Sequence, residues 1–129
     1  MREIVFRGKR IDNGEWVKGS LLYDIENNLA YIAKHFEDKS AYLCEVIPKT
    51  VGQYTGLTDK NGKKIFEGDI VKNEYSKGKY QYFKVIYDDR IYCWRVENKY
   101  GMLGFLYNVI GGIEVIGNIH DNSELIKEV

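Results

Sequence analysis

The chain has 129 residues, 44% of them apolar and 29% charged, with nineteen Lys and Arg against nineteen Asp and Glu. That length suits one domain able to bury a core without disulfide or metal staples, and the composition excludes a disordered chain. A formal charge of zero excludes a protein that grips the phosphate backbone through its overall field, so nucleic acid enters only through local clustering.

Eleven Tyr, five Phe and two Trp against one Pro tilt the chain toward sheet, where aromatic side chains fit half-buried faces. Residues 3–7 (EIVFR) and 15–22 (EWVKGSLL) read as strands joined at Asn13-Gly14, a strong hairpin-turn pair. Residues 29–33 and 42–47 form a second strand pair that Pro48 ends, because proline cannot donate to a ladder. Asp59, Asn61 and Gly62 mark a tight connection, and Gly68-Asp69 a second change of direction before a strand at Ile70.

Residues 80–87 and 91–97 are expected to pair as a hairpin across DDR, with Tyr92, Trp94 and Val96 facing the core by alternation. In 101–112 (GMLGFLYNVIGG) the apolar residues roughly fit helical spacing, but Gly104 weakens a helix and an irregular segment laid on the sheet fits equally. Residues 113–119 are the last strand, followed by at most a short helix capped by Asn122 or Ser123. About eight strands with little helix predict an all-β chain, mainly a small barrel or sandwich and not βαβ units. Pro48 is the expected seam between an N-terminal β-lobe, about 1–48, and a C-terminal barrel, about 49–129.

No segment approaches the roughly 18 apolar residues of a membrane helix, and MREIVFRGKR lacks the apolar run of a signal peptide. Cys44 and Cys93, far apart, are expected to be reduced thiols in a cytoplasm.

Three blocks, REIVFRGKRIDNGEWVKGSLLYD, VGQYTGLTDKNGKKIFEGDIV and IEVIGNIHDNSEL, resemble the YopX family in order and across nearly the whole chain. That family comprises small proteins of bacteriophages and prophages. The resemblance implies a β-rich fold with an SH3-like barrel in the C-terminal part, and it supplies no established activity and no site residues. Ser123 stands where the family commonly has Pro, a residue suited to the first helical position.

Chemistry is sparse. His35, His120, Cys44 and Cys93 show none of the close pairing of a structural zinc site, so no metal and no cofactor is expected. Cys93 lies in an aromatic strand, where a thiol usually behaves as a small hydrophobe. Glu67/Asp69 and Asp88/Asp89 fall at turns, where Asp commonly bonds backbone. With no nucleophile, base and orienting group in view, the chain reads as a non-enzyme.

Two stretches carry the functional reading. In KNEYSKGKYQYFK, Lys72, Lys77, Lys79 and Lys84 alternate with Tyr75, Tyr80 and Tyr82, the ingredients of single-strand binding on small barrels. The competing and favoured reading is a solvated hairpin with inward aromatics. In the second stretch, Met102, Leu103, Phe105, Leu106 and Tyr107 exceed what a small domain buries and predict a contact patch. With the phage and prophage setting that the resemblance implies, the favoured function is an accessory protein that contacts itself as a homo-oligomer, or another phage or host protein. A weak nucleic-acid module is the alternative.

Overall fold

In the computed structural model, residues 2–127 and 129 are described, apart from the side chain of Lys79. The chain is mainly β, with eleven strands among the described residues, and it divides into two compact units, Met1–Tyr54 and Thr55–Val129.

The first unit holds β1 (Phe6–Lys9), β2 (Trp16–Asp24), β3 (Leu29–His35), β4 (Ala41–Val46) and the start of β5 (Gly52–Thr58). These strands are antiparallel, in the order β4-β3-β2-β1-β5. The turn between β1 and β2 lies where Asn13-Gly14 places it, with Asn13 Oδ1 accepting the Glu15 N–H at 2.9 Å. Alternate residues Val17, Ala30, Ile32, Cys44 and Val46 form the core of this unit, as period-two patterning requires. Past β1, the Ile11 N–H donates to Glu45 O and the Ile47 N–H donates to Lys9 O. Those bonds tie the end of β4 back beside β1. Packing is tightest at Gly19, where an added Cβ would stand 2.1 Å from the Ala33 carbonyl oxygen.

The second unit holds the rest of β5, then β6 (Lys64–Phe66), β7 (Asp69–Asn73), β8 (Tyr82–Asp88), β9 (Cys93–Asn98) and β10 (Gly101–Phe105). One helical turn, α1 (Leu106–Val109), leads to β11 (Ile113–Asn118), and a short helix, α2 (Ser123–Ile126), follows it with Asn122 at its N-cap position. Its main sheet is antiparallel, in the order β10-β9-β8-β7-β11. No pairing joins the outer strands β10 and β11 among the described residues, so the architecture is two antiparallel sheets and the expected closed barrel is not found. Ile65, Val71, Phe83, Val85, Val96, Leu106, Ile113 and Val115 make the core.

Strand number and two local details differ from expectation. The apolar spacing of 102–110 arises because β10 runs directly into α1, a strand and a helical turn end to end that together imitate one helix. Tyr92, expected in the core, is 80% exposed at a backbone φ of +56°. The left-handed residue precedes β9 and breaks the alternation, while Trp94 and Val96 do face inward.

The turns of this unit follow one chemical rule. Each of six buried Asp or Asn side chains stands at or just beyond a strand end and accepts backbone N–H groups of the adjoining turn. Asp59 Oδ1 takes Asn61 and Lys63, Asp69 Oδ2 takes Phe66, and Asn73 Oδ1 takes Tyr75. Asp88 Oδ1 takes Arg90, Asn98 Oδ1 takes Tyr100 and Gly101, and Asn118 Oδ1 takes His120 and Asp121. A short side chain with a carbonyl oxygen suits this use, since buried backbone donors left unmet are costly.

At the second of these turns Gly68 has φ +89°, donates its N–H to Val85 O and accepts the Ile119 N–H, both at 2.9 Å. A Cβ there has room, 3.7 Å from its nearest neighbours, so only backbone strain opposes it. Gly68→Ala is expected to lower stability by about 1–2 kcal/mol, seen as an earlier urea midpoint at unchanged slope. An unshifted midpoint would contradict this assignment of strain.

Candidate interaction surface

The Lys/Tyr stretch spans the end of β7, the connection 74–81 and the start of β8. Lys72 pairs across the sheet with Glu114 on one side and Tyr82 on the other. Lys84 stands opposite Glu97, which itself receives Arg95 Nη2 at 2.8 Å. Facing acids thus offset the strand-borne lysines. In the connection, Lys77, Tyr75 (80%) and Tyr80 (46%) are exposed, whereas Phe83 is buried. The Lys79 side chain lies outside the described residues.

Beside this connection lies a shallow groove of about 260 Å3, lined in part by Lys60, Lys72, Glu74, Lys77 and Glu114, of mixed sign. Lys60 Nζ donates to Glu74 Oε2 at 2.5 Å. That ammonium, and next the Tyr75 hydroxyl, hold the Glu74 carboxyl below the ordinary carboxylate range, while Glu74 raises the Tyr75 phenol.

The apolar stretch divides. Leu106 is fully buried and Leu103 packs against the core, so Leu106 is no part of an exposed patch. It opens α1, whose turn directs it inward. Met102 (51%) and Tyr107 (58%) remain exposed, and Phe105 stacks on Tyr107 with ring centroids 6.0 Å apart.

The two stretches meet. The Glu74 N–H donates to Gly112 O at 3.0 Å, and the Tyr75 ring lies against Gly112 so closely that an added Cβ would stand 2.6 Å from it. Asn73 orients the connection, accepting the Tyr75 N–H and donating through Nδ2 to Ser76 Oγ at 2.9 Å. Tyr75, Leu103, Val109 and Gly112, with Asn73 and Asn108 at its polar edge, line an open groove of about 400 Å3. Residues some 30 positions apart build it, which strand-by-strand reading misses. The clue was Gly111-Gly112, a break leaving room for a ring.

Of the acids noted at turns, Asp69 and Asp88 are engaged. Asp88 receives Arg90 Nη2 at 3.1 Å and Arg95 Nη1 at 2.6 Å. The Arg90 hydrogen bond, against the opposing effect of burial, holds its carboxyl below the usual range. Cys44 is buried, Cys93 half-buried, and both are free thiols. His35 ends β3, and His120 lies in the turn after β11.

No curated protein matches the chain. Among solved structures, the chain is similar to protein EF1440 from Enterococcus faecalis at 24% identity and a TM-score of 0.61, covering 98% of this chain and 99% of that one. At that identity the likeness shows the fold alone. The family model described as YopX protein matches residues 5–127, so the chain belongs to the YopX family.

Proposed function

We propose that this is a phage or prophage accessory protein of the host cytoplasm that works without catalysis, by contact with protein partners including copies of itself. The observation that supports it most is the groove between Tyr75 and Leu103, an apolar recess with an exposed aromatic wall. Tyrosine at the rim of such a recess is a common anchor of protein interfaces. The engaged carboxylates favour structural over catalytic use. The second unit, with its strongly paired antiparallel sheet, is the part we equate with the family's SH3-like region.

Sedimentation equilibrium at rising protein concentration tests the reading. The wild type is expected to associate, and Tyr75→Ser, a change at an 80% exposed residue, to weaken association about tenfold, roughly 1.4 kcal/mol. A wild type monomeric throughout, together with a nuclease-treated pull-down from lysogenic cells that retains no protein, would overturn it.

Nucleic-acid binding is the second reading, favoured by exposed Tyr75, Tyr80 and Lys77. Gel-shift binding that fades with salt, and is lost in a Lys77→Glu, Lys79→Glu variant, would promote it over the first.

A further inference from the structure

On β1 and β2 the ladder places four side chains on one face of the first unit's sheet. Arg7 stands opposite Lys18 and Lys9 opposite Trp16, while Gly8 stands opposite Val17, a residue of the core. Side chains alternate along a strand, so Arg7, Lys9, Trp16 and Lys18 share the face turned away from that core. The Arg7 guanidinium carbon lies 4.8 Å from the centre of the Trp16 ring, and Lys9 Nζ lies 5.8 Å from it. Lys18 is exposed, Lys9 and Trp16 are half-buried, and Arg7 is 9% exposed.

Three cations around one indole run against the charge pattern of the second unit. There, strand-borne Lys72 and Lys84 face Glu114 and Glu97, and Arg95 donates to Asp88. On β1 and β2 no ladder partner of these cations is acidic. Arg7 has Lys18 on one side and Gly52 on the other, and Lys9 has Trp16. Like charges directly opposite each other on a sheet are destabilising, and the attraction of a cation to an aromatic face offsets only part of that. A polyanion offsets the rest, because its phosphates bring the charge that the ladder does not supply.

We infer that this face of β1 and β2 binds single-stranded nucleic acid without regard to sequence. Lys9 and Lys18 take neighbouring phosphates, and a base stacks on the half-buried indole of Trp16. Arg7, buried beside the ring, positions it and adds to the positive field. Trp16 and Lys18 stand two residues apart on β2, about 6.8 Å, so the stacking surface and a phosphate contact lie side by side. Stacking needs an unpaired base, which a duplex does not offer. The site is distinct from the connection 74–81, and the inference is independent of the groove between Tyr75 and Leu103.

Fluorescence anisotropy of a labelled oligothymidylate, titrated with the protein, tests it. At low salt the wild type is expected to bind with a Kd of roughly 100 μM or tighter, the range of sequence-independent contacts. A Lys9→Gln, Lys18→Gln variant should bind about tenfold more weakly. Its slope of log K against log salt should be shallower by about 1.4, two phosphate contacts at about 0.7 each. Trp16→Leu should weaken binding about fivefold or more. Quenching of Trp16 emission in a Trp94→Phe chain reads the same stacking with the site intact. Lys77→Glu, Lys79→Glu is expected to bind like wild type. If that variant loses binding while Lys9→Gln, Lys18→Gln keeps it, the sheet face is not the site and the connection 74–81 is. If oligothymidylate annealed to its complement binds as tightly, or Trp16 emission is unchanged on binding, the single-strand assignment is wrong. Unchanged anisotropy with wild type at low salt would overturn the inference and leave the protein-contact reading in place.

Discussion

Asp59→Ala is expected to cost about 4 kcal/mol of stability, a large share of the roughly 5–15 kcal/mol typical of a domain. The carboxylate is 6% exposed and serves three backbone donors: Asn61 and Lys63 at 2.9 Å through one oxygen, Val115 at 2.8 Å through the other. The first two close the turn after β5; the third fastens that turn to β11, 56 positions away. Alanine leaves all three donors unmet, one of them on a buried strand. Charge-assisted bonds contribute about 1.5–3 kcal/mol each, less than additively when shared by one group. Asp59→Asn is informative because its amide keeps one acceptor oxygen and turns an N–H2 toward a donor, so we expect about 2–3 kcal/mol. Urea unfolding followed at Trp94 reports the loss. A cost under about 1 kcal/mol for Asp59→Ala would show that water replaces the carboxylate.

The same residue sets a pH dependence. Burial pushes the Asp59 pKa up, but the Val115, Lys63 and Asn61 donors outweigh it and hold it below the ordinary value. A group depressed on folding contributes stability that is complete above its unfolded pKa, about 3.9, and is lost as pH falls through the folded value. Stability should therefore be level near neutrality and decline below about pH 4. In Asp59→Asn the acid decline should be shallower, because that contribution is already gone.

Gly19→Ala is the second large effect, expected at about 3–5 kcal/mol and confined to the first unit's sheet. The added methyl would lie 2.1 Å from Ala33 O, 3.0 Å from Ala33 C and 3.2 Å from Ile32 Cγ2. The nearest of these is backbone in a neighbouring strand, so no rotamer change relieves it. β2 and β3 must separate where Ser20 pairs with Ala33 and Leu21 with Ile32, and Ile32 is a fully buried core residue. Hydrogen exchange at β3 amides should accelerate far more than at β8. Equal protection in variant and wild type would show that the strands absorb the methyl by sliding.

Much of this organisation was legible in the residues. Asn13-Gly14, Asp59 with Asn61-Gly62, and Gly68-Asp69 announced turns because few residues support those backbones, and the structure has turns at each. Trp94 and Val96 announced a core face by alternation, and both pack inward. The failures share a cause. Residues 101–110 carry a periodicity produced by two elements in series, and Tyr92 sits where a single left-handed residue resets the alternation. Barrel closure depends on whether the outermost strands meet, which local pattern does not record. The groove was half legible: Tyr75 and Leu103 were each singled out, but only long-range pairing brings residues 73–75 beside Gly112.

The six side chains that organise the turns of the second unit are of two kinds. Asp59, Asp69 and Asp88 can take up a proton; Asn73, Asn98 and Asn118 cannot. Acid therefore acts on the Asp fastenings alone, weakening the bends near residues 59–63 and 88–90, whose carboxyls are held below the ordinary range, while those near 73–76, 98–101 and 118–121 keep their acceptors. Acidification well below about pH 4 should open this unit piecemeal, giving a species with some hairpins intact and others undone, whereas urea, indifferent to the distinction, should dismantle them together.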